Sequence, residues 1–376
     1  MSKYKCYAPW ASLDISPQGD ITPCCKFRTQ GYNERYNITK NTIQEYTDSD
    51  FLKGIKQEFL SGSFPQGCIR CVQDEQIGTP SKRQLDYERW TEQYDNWQEE
   101  DGYITTSIAF GNTCNLKCVM CSPYSSSRWR QEQKDLYNVD IKSLEYLNDS
   151  IVDQLHASMP NVLHIDIPGG EPFLSEPLKQ LDFLSRLRER ASNVTLHYTT
   201  NTQVMPDERW LAEWSNFKEI DVQLSIDGVE SHYEYIRYPG NWNVLLNNVD
   251  QWLKYQQEYA NIRLSVSHTV GAYNIYYMQE FWDWCIQTGL PKPYLGKVFA
   301  PEHFRPDVWT GDARTLIKDK LSTSTQPEIR TWINLFDNPA QEHIFKLFVD
   351  WIKRHDVYRR NSFKDTFKEL ARYVSV

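Results

Sequence analysis

The sequence predicts an α/β fold built on a parallel sheet, with a cysteine-bearing hairpin ahead of it and helices behind it. Three observations carry that expectation. Between residues 103 and 299, strand-like and helix-like segments alternate through six strands, the pattern of βα units. Before residue 101 the chain is irregular and holds Cys6, Cys24, Cys25, Cys68 and Cys71 in close groups. After Phe299 strand-like runs stop, and helical periodicity continues between loops marked by Pro301, Pro306, Gly311 and Pro327. The expected organisation is an N-terminal hairpin domain over 1–100, a βα domain over 101–300 and a helical cap over 301–376.

In chain order, residues 12–15 read as a short strand, Ser16-Pro-Gln-Gly19 as a turn with Pro second and Gly fourth, and residues 20–23 as the returning strand that delivers Cys24 and Cys25. A helix follows over 43–60, with Phe51, Ile55 and Phe59 on one face. Gly62 and Pro65 end it. Cys68-Ile-Arg-Cys71 comes next, and then a polar helix-prone stretch to about residue 100.

The strands expected in the central part are 103–110, 162–167, 194–200, 220–226, 262–270 and 294–299. Helices are expected over 144–158, 176–190, 207–216, 242–259 and 275–288. The tail should add helices over 313–321, 341–355 and 361–374. A closed (β/α)8 barrel needs eight strands. Six suit a partial barrel open on one side, and periodicity alone also allows an open doubly wound sheet.

Composition narrows the function classes. Mean hydropathy is −0.65 and no long apolar run is present, so no membrane span is expected. The residues after Met1-Ser-Lys-Tyr-Lys carry no apolar segment of the kind that makes a signal peptide. A net charge of −9 argues against a nucleic-acid partner, which usually calls for a basic surface. Nine cysteines, grouped as pairs and triplets, suit soft-metal ligation better than disulfides. A cytoplasmic location is the expectation.

The most specific stretch is Gly111-Asn-Thr-Cys114-Asn-Leu-Lys-Cys118-Val-Met-Cys121, on the loop that leaves the first βα strand. Iron–sulfur clusters normally take four cysteines, and this run offers three. Residues Pro168-Gly169-Gly170-Glu171-Pro172 follow the second strand, where ligands gather in parallel α/β folds. Together the Cys-x3-Cys-x2-Cys spacing and the Gly-Gly-Glu-Pro run resemble the radical S-adenosylmethionine (radical SAM) superfamily. The resemblance implies a partial (β/α)6 barrel of TIM type. It also implies a [4Fe–4S] cluster on Cys114, Cys118 and Cys121, with S-adenosylmethionine on the open iron and the backbone at Gly169, Gly170 and Glu171 near its amino group. The activity implied is reductive cleavage of S-adenosylmethionine to a 5′-deoxyadenosyl radical, which takes a hydrogen atom from the substrate.

Other positions follow from the same resemblance. Met120 stands where the family often has an aromatic residue against adenine, and a thioether can pack there. Asn201 follows the third strand. Ser225 and Asp227 share a face of the fourth, and the stretch from Ser225 to Arg237 resembles the S-x-D-G…H…R pattern of peptide-modifying relatives. Ser225 and Asp227 are then candidates for the ribose or amino group, and Arg237 for the carboxylate, which suits a guanidinium. His164, His197 and His268 lie within strands and are weighed as structural first, as substrate contacts second. Cys285 reads as a core helix residue.

Cys6-x12-Gly19-x4-Cys24 resembles the opening half of the SPASM motif, whose short form is the twitch domain. That implies an auxiliary [4Fe–4S] cluster on Cys6, Cys24, Cys68 and Cys71, fully ligated and suited to electron transfer. Cys25 competes with Cys24 as a ligand, and four thiolates equally suit a structural zinc. The expected partners are a peptide or small-molecule substrate and a flavodoxin or ferredoxin-type electron donor. Radical modification of a nucleotide or nucleic acid, and a non-catalytic zinc-stabilised binding protein, are the alternatives.

Overall fold

The computed structural model describes residues 6–76, 78, 80–141 and 146–374. It divides into two compact units. The first comprises Met1–Cys114, Ile141–Thr199 and Pro206–Asp221; the second comprises Asn115–Asp140, Thr200–Met205 and Val222–Val376.

The strands are β1 (Ser12–Ile15), β2 (Asp20–Thr22), β3 (Tyr36–Asn37), β4 (Thr105–Ile108), β5 (His164–Ile167), β6 (Thr195–Thr200), β7 (Glu219–Ser225), β8 (Ile262–Val270) and β9 (Tyr294–Lys297). They form one mostly parallel sheet in the order β3-β2-β1-β4-β5-β6-β7-β8-β9. Strands β4 to β9 coincide with the six expected from the βα pattern, so the α/β class with a mostly parallel sheet stands.

In the first unit the β1–β2 hairpin turns as its sequence requires. Gly19 has φ +78°, and a Cβ there would press on Ile38 and the Asn37 amide at 3.1–3.2 Å. Gly19 N donates to Ser16 O at 2.8 Å, and the Ser16 hydroxyl accepts from Gln18 N and Asp20 N. The parallel pairing of β1 with β4, Ser12 opposite Thr105 through Ile15 opposite Ile108, goes beyond the sequence reading. The hairpin therefore extends the βα sheet. The reason is burial: three of four residues in β1 and all four in β4 are buried, so neither can stand at an exposed edge. Strands β4, β5 and β6 continue in parallel register.

Helix Asp50–Leu60 starts where the Ser49 hydroxyl accepts from Leu52 N, and it buries Phe51, Ile55 and Phe59 as expected. The polar stretch before residue 100 resolves into helix Lys82–Asn96, begun by a capping box in which Ser81 and Gln84 satisfy each other's backbone N–H. The expected helix over 144–158 is seen as Asp149–Ser158; residues 144 and 145 lie outside the described ones.

In the second unit β8 and β9 pair in parallel, Ser267 opposite Tyr294. The 301–376 tail shares its core with the βα part: Trp309, Phe348, Phe363 and Phe367 are buried in one cluster with Tyr235, Tyr273 and Trp282. The helix expected over 361–374 is broken into Phe363–Thr366 and Lys368–Ala371. Phe367 leaves helical geometry (φ −108°, ψ 60°) to enter that core, and Thr366 O accepts from His232 Nε2 instead of continuing a helix. Among the described residues no helix is long and apolar enough to cross a membrane.

Candidate active site

Within the first unit, the loop leaving β4 and the loop leaving β5 are laced together through backbone. Glu171 N donates to Thr113 O at 2.8 Å and Gly170 N to Gly111 O at 3.4 Å. The Ser175 hydroxyl donates to the same Thr113 carbonyl at 3.0 Å. A Cβ on Gly170 would run into the carbonyls of Asn112 and Thr113, whereas one on Gly169 would meet Gly111 O at an ordinary 3.5 Å. Of the paired glycines, Gly170 is the one the packing demands. Glu171 is fully buried, and this lacing fixes the backbone that leads into the buried Cys114.

Within the second unit, the rest of the cysteine loop lies along residues 236–238. Lys117 N donates to Tyr238 O at 2.7 Å and Val119 N to Ile236 O at 2.8 Å. Cys121 N closes a turn onto Cys118 O at 2.9 Å, and Trp129 Nε1 donates to that same carbonyl at 3.1 Å. Met120 packs against the second unit's hydrophobic core. Asn201 Nδ2 donates to Asn115 Oδ1 at 2.7 Å, so Asn201 braces the residue that follows Cys114.

Asp227 and Arg237 form a buried pair, Nε to Oδ2 at 2.8 Å, with side chains 0% and 9% exposed. The second Asp227 oxygen accepts from Thr269 N at 2.7 Å. Burial opposes the Arg237 charge, but Asp227 and the nearby Cys118 sulfur outweigh it and raise its pKa. Arg237 therefore stands as a buried cation near Cys118. Ser225 closes β7 and is buried. His268 is structural: its Nδ1 donates to Ile226 O at 3.0 Å and its ring stacks on Phe281.

Four of the five N-terminal cysteines share one cavity, and Cys24 also lines the cavity that Cys25 faces. Cys6, Cys24, Cys68 and Cys71 line one cavity of about 20 Å³, with Phe27, Phe59 and Phe64 around it. Cys25 is exposed and faces a different cavity, so the geometry favours Cys24 as the fourth thiol. Burial raises the thiol pKa values, that of Cys6 to about 12, and neighbouring thiols add to the rise at Cys24 and Cys68. Neutral thiols are the stable form there without a metal cation, and a bound cation would reverse that balance. The donor set fits a cubane or a zinc ion alike, although among the described residues no group of three ligating side chains stands arranged to hold an ion. Gly67, not singled out from the sequence, makes the cluster of thiols possible. A Cβ there would strike the Phe27 ring, and Gly67 O accepts from Arg28 N at 2.9 Å, docking the Cys68 turn beside Cys24.

Residues 108–272 match the model of the Radical SAM superfamily. This stretch, less than half of the chain, is similar to the radical SAM domain. The match encloses Cys114, Cys118, Cys121, Gly169–Glu171, Asn201, Ser225, Asp227 and Arg237, and it excludes all the N-terminal cysteines. No curated protein matches the chain. Among solved structures, it is similar to anSMEcpe with bound AdoMet and Kp18Cys peptide, at 16% identity over 57% of this chain and 59% of that chain, TM-score 0.42. It is also similar to Streptococcus suis SuiB bound to S-adenosylmethionine, at 14% identity over 84% and 68%, TM-score 0.37. The methyltransferase TsrM from Kitasatospora setae aligns at 15% identity over 61% and 40%, TM-score 0.38. The chain thus spans 59% of the length of the first of these structures.

Proposed function

We propose that the protein cleaves S-adenosylmethionine reductively and removes a hydrogen atom from a peptide or small-molecule substrate, with Cys114, Cys118 and Cys121 as ligands of a catalytic [4Fe–4S] cluster. The observation that carries this reading is the match to the Radical SAM superfamily over 108–272 with the three-cysteine motif inside it. When bound, the cluster supplies the electron and the open iron that the chemistry needs. The chain's own residues hold and orient. The bare backbone at Gly170 lets the 169–171 loop close against residues 111–113. Asp227 fixes Arg237, which places a buried guanidinium near Cys118. Met120, Asn201 and Ser225 are the further candidates for contacts to S-adenosylmethionine.

In the same proposal residues 1–100 act as a twitch-like module, residues 101–300 as the partial barrel and residues 301–376 as the cap. Cys6, Cys24, Cys68 and Cys71 would hold an auxiliary [4Fe–4S] cluster, which would supply an electron acceptor, and a flavodoxin or ferredoxin-type protein would be the electron donor to the enzyme. What supports the auxiliary site is the single cavity that the four thiols share. The net charge of −9 weighs against a nucleic-acid substrate. Iron and sulfide analysis of anaerobically purified protein tests the reading. About eight irons per chain, two cubanes, supports it. Zinc without iron overturns it in favour of a binding protein.

A further inference from the structure

The first unit contains a second cavity, of about 190 Å³, lined by side chains from β1, β4, β5, β6 and helix Lys82–Asn96. Its walls are polar: Asp14, Ser107, Asp166, His164, His197 and Lys82 all face it. They alternate along their strands, so the cavity is a consequence of one strand face being polar while Ile108, Ile165 and Leu196, their neighbours in sequence, are buried on the other.

Most of the charges there are already matched. Lys82 is paired with Asp86 at 2.7 Å, and His197 Nδ1 with Asp221 at 2.9 Å. Arg89 lies at the rim over the Trp90 ring, at 5.1 Å. Among the described residues Asp14 and Asp166 have no cation within salt-bridge distance; Asp14 accepts from the Thr22 hydroxyl at 3.1 Å and from the Ser107 hydroxyl. Asp14 is buried and Asp166 half-buried; desolvation raises the pKa of each and nearby acidic groups add to it, against the pull of Lys82 on both and of His197 on Asp166. Two polar atoms on the wall are buried with no hydrogen-bond partner among the described residues: Asp166 Oδ1 and His164 Nδ1. Ser107 is itself 8% exposed. Its hydroxyl stands close enough to Asp14 to favour that carboxylate's charge, and it is spent on no other group. Buried polar atoms are seldom left unpaired, and two unmatched carboxylates in a confined cavity lack a cation that also donates hydrogen bonds.

We infer that this cavity binds a primary ammonium group, with Asp14 and Asp166 as its counter-charges and Ser107 and His164 accepting its remaining protons. The volume admits a short aliphatic amine, since it is several times what one water needs. The ammonium can come from a lysine side chain of a peptide or from a free small amine. That the cavity serves as the substrate subsite of the radical reaction rests on the proposed function; the binding itself does not.

Isothermal titration of the reconstituted protein, without S-adenosylmethionine, tests the inference apart from turnover. The probes are n-butylammonium chloride, Nα-acetyl-L-lysine N-methylamide, sodium butyrate and 1-butanol. At least one ammonium probe should bind about tenfold more tightly than butanol or butyrate. The lysine derivative binding better than butylammonium identifies a peptide side chain, and equal binding identifies a small amine. Asp166→Asn and Asp14→Asn should each weaken binding about tenfold, and the milder Ser107→Ala a few-fold, with circular dichroism unchanged. The inference fails if neither ammonium probe binds, if butyrate binds as well as either of them, or if folded Asp166→Asn and Ser107→Ala proteins bind like the wild type.

Discussion

Replacing Glu132 should unfold the second unit's grip on the cysteine loop. Glu132 lies on helix Trp129–Tyr137 and is fully buried. It meets Lys117 Nζ at 2.6 Å, His355 Nδ1 at 2.5 Å and Arg359 Nε at 2.8 Å. Lys117 immediately precedes Cys118, and His355 and Arg359 come from helix Glu342–Arg359, so one carboxylate joins the loop to the tail. Glu132→Ala strands Lys117 and Arg359 without their counter-charge. Removing one partner of a buried ion pair costs about 3–5 kcal/mol. Glu132→Gln keeps the shape and loses the charge, at about 1.5–3 kcal/mol. Urea unfolding followed by circular dichroism measures both. The acid limb adds an independent check. Burial pushes the Glu132 pKa up, but hydrogen bonds from His355, Arg359 and Lys117 outweigh it and hold it at about 2, below the ordinary 4.5. A carboxylate depressed on folding stabilises fully above its unfolded pKa, and that contribution fades as pH falls towards the folded value. The gap between wild type and Glu132→Gln should therefore shrink between pH 4.5 and 2. A Glu132→Ala protein within about 1 kcal/mol of wild type, or a gap independent of pH, would refute the reasoning.

Three other substitutions probe the site. Gly170→Ala should weaken S-adenosylmethionine binding about tenfold or more, because its Cβ meets the Asn112 and Thr113 carbonyls, while Gly169→Ala should stay close to wild type in equilibrium dialysis. Cys24→Ser should lower iron per chain by about half, if both sites hold cubanes, and Cys25→Ser should leave it unchanged by metal analysis. Asp227→Ala should cost about 3–5 kcal/mol in thermal or urea unfolding, since Arg237 would stay buried without its carboxylate.

Strands β4 to β9 were legible because each is a short apolar or alternating run between helical stretches, and the period carries that information locally. The pairing of β1 with β4 was not, because 93 residues separate Ser12 from Thr105 and nothing local encodes the partner of a strand. The C-terminal helix failed at Phe367 for a similar reason: tertiary packing of one aromatic ring overrode helical propensity. At the site, thiols and paired glycines announce themselves by spacing. Which glycine is indispensable, and which of Cys24 and Cys25 joins Cys6, Cys68 and Cys71, depended on the direction each side chain takes. Asp227 and Arg237 could be named from a pattern, yet their mutual ion pair is a ten-residue contact across a turn that only the fold reveals. The brace of Asn201 on Asn115 left no trace at all in the sequence.

The central claim is tested most directly by product analysis. Anaerobically reconstituted protein, reduced with dithionite and given S-adenosylmethionine, should release 5′-deoxyadenosine, and the Cys114→Ala/Cys118→Ala/Cys121→Ala protein should release none while keeping the iron held by the N-terminal thiols. Continued 5′-deoxyadenosine release by the triple variant would contradict the account.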